Sequence, residues 1–288
     1  MKKCLILGSY GLLGCELAPY LEGQGYFVFR HGRRAEAQCR LNFEDTNEIV
    51  EFYEKNKIDV IINLVAETGV DKCEVDIQGA FSSNAFFVER VIKSIKACVN
   101  SKPPHLIQIS SDHVYSGAGP HLESSCNPVN IYAITKLGGE LIAGQVKSTI
   151  LRTNFIGRST SPGRVGLSDW IVHTLQKEQR ITVFDNVLFS PLHTTTLCKM
   201  IELVVLQQKE GTYNLSSSVG NSKAYLATSL AQKLHLDMDL ISVGNYKKVS
   251  QLAMRPLDMR LNSKKFEKDF EFVLPTFDEQ IELTAKEY

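Results

Sequence analysis

The chain opens on a short apolar run, Lys3-Cys4-Leu5-Ile6-Leu7, closed by Gly8. An apolar run without alternation reads as a strand buried on both faces, as in a parallel sheet. A helical pattern follows to about Glu22, and then the rhythm repeats. Gly25–Phe29 reads as a second strand, and Asp45 or Thr46 caps a helix over 47–56. Ile58–Ala66 is a third strand running into a turn of small residues. A long helix is predicted from about Asp76 to Val99, ended by Pro103-Pro104. His105–Ile109 is the fourth strand and delivers Ser110-Ser111-Asp112 at its carboxyl end. Gly117–Pro128 is a loop. A helix over about Val129–Gly144 and a fifth strand over Ser148–Arg152 complete the series.

Strands that alternate with helices predict an α/β fold built on a doubly wound parallel (Rossmann) sheet. Beyond Asn154 the rhythm loosens. Arg158–Gly163 is rich in turn residues, Leu167–Lys177 and Thr194–Gln207 are helical, and Ile181–Phe184 and Gly211–Leu215 are short strands. Another helix covers Ser222–Leu234. The expected organisation is a dinucleotide-binding domain over 1–156. A smaller mixed α/β substrate lobe follows over 157–288, with an approximate boundary that the chain is free to cross again.

Composition narrows the class. With 288 residues, 43% of them hydrophobic, the chain can fill a sizeable core. Basic and acidic residues both number 32, which argues against a nucleic-acid partner. No apolar run approaches the ~20 residues of a membrane span. The amino terminus has the basic flank of a signal peptide, but its apolar run stops at Gly8 after four residues, so strand–turn–helix is the better reading. Cys4, Cys15, Cys39, Cys73, Cys98, Cys126 and Cys198 form no Cys-x-x-Cys, which fits reduced thiols in a cytoplasmic protein. The seven histidines show no spacing for a metal site with Cys or carboxylates. A homodimer is compatible with the sequence but is not read from it.

Two motifs then carry chemistry. The first is Gly8-Ser9-Tyr10-Gly11-Leu12-Leu13-Gly14, between the first strand and its helix. Gly8 allows the tight turn, Gly11 lets backbone approach a pyrophosphate at the helix start, and Gly14 permits close helix–strand packing. The spacing, Gly-x-x-Gly-x-x-Gly, is weak alone and gains weight from its place. After the second strand comes Arg30-His31-Gly32-Arg33-Arg34, with no acid before Glu36. Arg there favours a 2′-phosphate, so NADP(H) is expected, with NAD(H) as the second option. A solvated basic loop would also fit the pattern.

The second is Ser111 followed by Tyr132-Ala133-Ile134-Thr135-Lys136. On a helix Tyr132 and Lys136 share one face, one turn apart. An ammonium beside a phenol favours phenolate, and a serine hydroxyl can hold a carbonyl oxygen, a set suited to ketone–alcohol interconversion. Tyr53 and Lys57 have the same spacing, but they end the helix before the third strand. That is the amino-terminal pole of the sheet, where a surface Tyr and a solvated Lys are expected; ligands bind at the other pole. His113 could act as acid or base, or pack beside a cofactor.

These residues together resemble the extended short-chain dehydrogenases/reductases, and within them the dTDP-4-dehydrorhamnose reductases. The likeness runs over nearly the whole chain. It rests on Gly8–Gly14, Val60–Ala66, Val70-Asp71-Lys72-Cys73-Glu74, Asn84, Ser110–Gly117, Leu151-Arg152-Thr153 and Arg255–Leu261. The resemblance implies NAD(P)H across Gly8, Tyr10, Gly11, Leu12, Leu13 and Gly14, with Arg30 or Arg33 at the 2′-phosphate. It puts Asn42 and Phe43 beside the adenine, Val65 and Ala66 at the ribose, and Asn84, Ser110, Tyr132 and Lys136 toward the nicotinamide end. Tyr132 would give the proton and Ser111 hold the carbonyl of a nucleoside-diphosphate 4-keto-6-deoxy sugar, with Asp112, His113, Asn154 and Phe155 near the sugar. His113 stands for a family Tyr, Ser116 for an Asp, and Asn154-Phe155 for Ser-Trp. These departures touch substrate contacts rather than the Ser/Tyr/Lys set. The related sugar-nucleotide dehydratases carry Thr-Asp-Glu at 111–113, so His113 argues against dehydration or epimerisation. A non-catalytic NADP-binding subunit, like the regulatory β subunit of methionine adenosyltransferase, is the other alternative.

Overall fold

The structure is a computed structural model and describes residues 1–33, 37–99, 102–246 and 252–288. Its contacts divide into two compact units. The first holds Met1–Ser110, Asn130–Leu151 and Cys198–Thr212; the second holds Ser111–Val129, Arg152–Leu197 and Tyr213–Tyr288. The expected boundary near 156 was approximate and left the chain free to cross back; the two units interleave along the sequence.

The first unit is built on β1 (Lys3–Leu7), β2 (Phe27–His31), β3 (Val60–Asn63), β4 (His105–Ser111) and β5 (Ser148–Thr153). With the strand Gly211–Leu215 they form a six-stranded sheet. Its order is Gly211–Leu215, β5, β4, β3, β1, β2. β1 pairs in parallel with β2 and β3, and β3 with β4. Cys4, Leu5, Ile6 and Leu7 are fully buried, as a central parallel strand requires. Each large apolar side chain so buried contributes about 1.5–3 kcal/mol.

The helices of this unit include α1 (Leu12–Gly23), α2 (Thr46–Asn56), α3 (Val70–Val75), α4 (Ile77–Phe81), α5 (Phe87–Ala97) and α6 (Ile131–Ala143). Asp45 caps α2 by accepting from the amides of Asn47 and Glu48 at 3.0 and 3.2 Å, worth about 1 kcal/mol. One face of α2 and α5 (Ile49, Tyr53, Val88, Val91, Ile92, Ile95) packs with Leu5, Ile61 and Leu106. Tyr53, expected at the surface, belongs instead to that core: it is 2% exposed, and its hydroxyl accepts from Ser94 at 3.3 Å.

Three differences from the expected pattern bear on the site. The helix expected over 76–99 runs right-handed from Ile77 to Ala97, with one π turn inside it. Asp76 ends α3 and caps α4 by accepting from Gly79 N at 2.8 Å. The π turn, Ser82–Phe86, lies between α4 and α5. Gly211–Leu215, expected in the small lobe, is the edge strand beside β5. Finally, β4 continues to Ser111 rather than stopping at Ile109.

The second unit has its own core of Ile156, Ile171, Val172, Phe189, Leu226, Leu230, Phe277 and Ile281. Its helices are Leu167–Gln176, Lys223–Lys233, Lys264–Phe270 and Phe277–Ala285. A strand at Ile241–Gly244 pairs in parallel with Ile181–Phe184. Among the described residues no helix is long and apolar enough to cross a membrane. Among them too, no cluster of His, Cys, Asp and Glu is placed to hold a metal ion.

Candidate active site

The turn after β1 is built for close backbone approach. Gly8 lies at φ 84°, and a Cβ there would stand 3.2 Å from the backbone of Leu64 and Val65. The turn at the end of β3 therefore abuts the glycine turn. Val65 N donates to Asn63 Oδ1 at 3.1 Å, which fixes that second turn ahead of Ala66. A Cβ on Gly14 would lie 2.5 Å from Gly8 O and 2.6 Å from Ser9 C. Helix α1 thus starts against the turn, with Leu12 and Leu13 in its first positions. Gly11 is its N-cap and supplies no side-chain cap, so the first amides of α1 are available to an anion. A dinucleotide pyrophosphate fits this cradle.

Beyond β2 lies a cavity of about 630 Å³, lined by Arg33, Arg40, Asn42, Phe43, Phe87 and Arg90 among others. Asn42, Phe43 and Arg33 thus line one cavity. Arg30 does not line it: its Nε donates to Glu22 at 2.9 Å, and a second guanidinium nitrogen contacts the same carboxylate. Arg90 pairs with Glu44 at 2.9 Å. Arg33 and Arg40, both exposed, stand at its rim. Arg40 escaped the sequence reading because it sits ahead of Leu41-Asn42, outside the Arg30–Arg34 run. Tyr10 reaches this side as well, its hydroxyl accepting from Gln38 N at 3.0 Å. Glu36 and Arg34 lie outside the described residues.

Asn130 caps α6 by accepting from Ala133 N at 2.8 Å. Tyr132 and Lys136 lie on its buried face, 8% and 5% exposed. Lys136 Nζ donates to the Ile109 carbonyl of β4 at 2.7 Å. Burial pushes its ammonium down to about 8, against the opposing charge of Glu140. The Ser110 hydroxyl donates to Glu140. Asn84, in the π turn, uses its side chain as a brace. Its Oδ1 accepts from Glu67 N at 2.9 Å, and its Nδ2 donates to Glu67 O at 3.1 Å and Thr135 Oγ1 at 3.0 Å.

In the second unit, Ser111 caps a 3-10 turn over Asp112–Val114, its hydroxyl accepting from His113 N at 3.2 Å. Asn154 Nδ2 donates to Asp112 Oδ2 at 2.7 Å, so these two expected residues do meet. Phe155 begins a two-residue strand paired with Leu192-His193. Burial lowers the His113 imidazole below its ordinary value; Asp112 opposes this, and Lys223 and Arg255 add to it. His113 is therefore neutral at neutral pH. Lys223, first residue of the helix Lys223–Lys233, is likewise lowered by burial, with Asp112 opposing. No sequence signal marks Lys223, because Asp112 and His113 lie more than a hundred positions away.

A parallel α/β sheet with a glycine turn after its first strand and a Tyr-x-x-x-Lys helix after its fourth defines an extended short-chain dehydrogenase/reductase. Within that class the chain belongs to the RmlD substrate binding domain family, whose model matches residues 1–288. It is 28% identical to the spore coat polysaccharide biosynthesis protein SpsK of Bacillus subtilis, over 84% of this chain and 83% of that protein. It is 27% identical to the dTDP-4-dehydrorhamnose reductase of Salmonella typhimurium, over 95% and 94% of the two chains. The fold matches the crystal structure of dTDP-4-dehydrorhamnose reductase from Bacillus anthracis in complex with NADP. The TM-score is 0.87 at 21% identity, and each chain is covered in full (100%).

Proposed function

We propose that the protein is an NADPH-dependent reductase of a nucleoside-diphosphate 4-keto-6-deoxy sugar. The observation that carries the reading is the buried face of α6, where Lys136 is held on the last residues of β4 and Tyr132 lies one turn before it. Relatives named as dTDP-4-dehydrorhamnose reductases, similar over nearly the whole chain, support the substrate class.

Bound NADPH would supply the hydride. The chain's own residues do the rest. The uncapped start of α1 and the Gly8 turn hold the pyrophosphate. Asn42 and Phe43 border the adenine, and Arg33 and Arg40 face the 2′-phosphate. Lys136 hydrogen-bonds the nicotinamide ribose and supports the Tyr132 hydroxyl. Ser111 holds the sugar's C4 carbonyl oxygen, and Tyr132 delivers the proton to it. Asp112 and Asn154, already bonded to each other, offer a polar wall to the sugar, with Phe155 beside them. A dehydratase is not favoured, since the neutral His113 stands where that chemistry needs a carboxylate. A cytosolic location agrees with the substrate class.

The direct test follows NADPH oxidation with a dTDP-4-keto-6-deoxy sugar. Turnover is expected. If wild type and Tyr132→Phe are equally inactive while NADP(H) still binds, the reductase reading fails and a binding role gains. Cofactor choice is tested separately. NADPH is expected to bind more tightly than NADH. Arg33→Ala combined with Arg40→Ala should cost NADPH about 10- to 100-fold in affinity, the scale of one lost charged hydrogen bond, with NADH little changed. Tighter NADH binding by wild type would sink the assignment.

A further inference from the structure

Lys136 and Glu140 stand one turn apart on the same face of α6, and both are buried, 5% and 3% exposed. Each meets β4. Lys136 Nζ donates to the Ile109 carbonyl at 2.7 Å, and the Ser110 hydroxyl donates to Glu140. Two consecutive strand residues are thus gripped by two successive turns of the helix. Packing alone does not ask for this. A buried carboxyl costs free energy unless it is hydrogen-bonded or set against a cation, and an apolar side chain would fill the space at less cost.

We propose that Glu140 is a positioning residue for the proton-transfer pair: anchored by Ser110, its carboxylate keeps the Lys136 ammonium charged and ties α6 to the end of β4. This rests on the reductase reading for what the lysine then does.

The charge balance around Lys136 gives the direction of the effect. Burial pushes its ammonium down to about 8, and Glu140 is the ionisable group whose charge opposes that fall. Tyr132 lies one turn before it on α6. Glu74 of α3 accepts the Ile131 amide at the start of the helix, at 2.9 Å. From β4 the Ile109 carbonyl and the Ser110 hydroxyl, both uncharged, reach α6 here. Removing the Glu140 charge leaves burial unopposed, so Lys136 loses its proton at lower pH. Cofactor affinity and turnover that need the ammonium then fall away earlier as pH rises.

The test compares wild type with Glu140→Gln, which keeps an acceptor for Ser110 and nearly the same volume. NADPH binding is titrated by fluorescence from about pH 6 to about pH 10, and kcat is followed with the keto sugar over the same range. Wild type is expected to lose affinity through an alkaline limb near 8. In Glu140→Gln the limb should move down by about one pH unit, and Glu140→Asp should restore it in part. Ser110→Ala, which keeps the carboxylate and removes its anchor, should move the limb the same way by less, and it serves if Glu140→Gln does not fold. Unchanged limbs in these variants, with or without a lower Tm, overturn the proposal. If the binding limb shifts as expected while wild type turns over no keto sugar, the reductase reading fails and the role of Glu140 stands.

Discussion

Replacing Tyr132 with phenylalanine should lower kcat by about 10²- to 10⁴-fold, the range for loss of a positioned proton donor. Stability and NADPH affinity should hardly change. The ring is what the fold uses: Tyr132 packs with Cys73 and Ala80, and with Val70 and Ile131 beside them. Phenylalanine preserves that packing and deletes only the hydroxyl. Steady-state kinetics, an NADPH titration and a thermal melt on one preparation separate the outcomes. A variant that loses NADPH binding as well would show a structural residue and remove Tyr132 from the proposed chemistry. Retained turnover would do the same more directly.

Gly14→Ala should damage the protein as a dinucleotide binder. The added methyl would stand 2.5 Å from Gly8 O, 2.6 Å from Ser9 C and 2.7 Å from Ser9 Cα. All three are backbone, so no side chain can swing away. The turn itself must move, and with it the uncapped start of α1. The expected cost lies at the upper end of the ~1–3 kcal/mol typical of overpacking, with NADPH affinity down by at least about tenfold for a shift of the anion cradle. Gly23 supplies the control at the other end of α1, where an added methyl would meet nothing within 4 Å. There alanine should be neutral or stabilising by up to about 1 kcal/mol. Equal Tm and equal Kd for wild type and Gly14→Ala would refute the close-approach argument.

How far the sequence reached depended on the range of the forces involved. The β1–turn–α1 unit, the Asp45 cap and the Ile181–Phe184 strand were legible because neighbouring residues decide them. The burial of Tyr53 was not legible, since its place at the end of a helix before a strand reads as surface. The π turn around Asn84, inside the helix expected over 76–99, was not legible either. Asn84 commits its side chain to Glu67 and Thr135, partners distant in sequence.

The proposed active site divides in the same way. Spacing put Tyr132 and Lys136 on one helix face, and place in the fold, not spacing, set them apart from Tyr53 and Lys57. Spacing also offered Arg30 and Arg33 as equals. The fold separates them, because Glu22 of α1 engages Arg30 while Arg33 lines the cavity with Arg40. It also shows Glu140 reaching Ser110, thirty positions earlier.

Periodicity and local sterics were enough for the alternating parallel α/β architecture, the glycine turn and the Tyr-x-x-x-Lys face. Long-range packing was needed to bring Gly211–Leu215 into the main sheet and to interleave the two units along the chain. It was needed as well to seat Lys136 on Ile109, with Glu140 one turn further along the same face. Periodicity says which face of an element is buried. It does not say against what, and the partners that set charge and position are chosen by packing between distant segments.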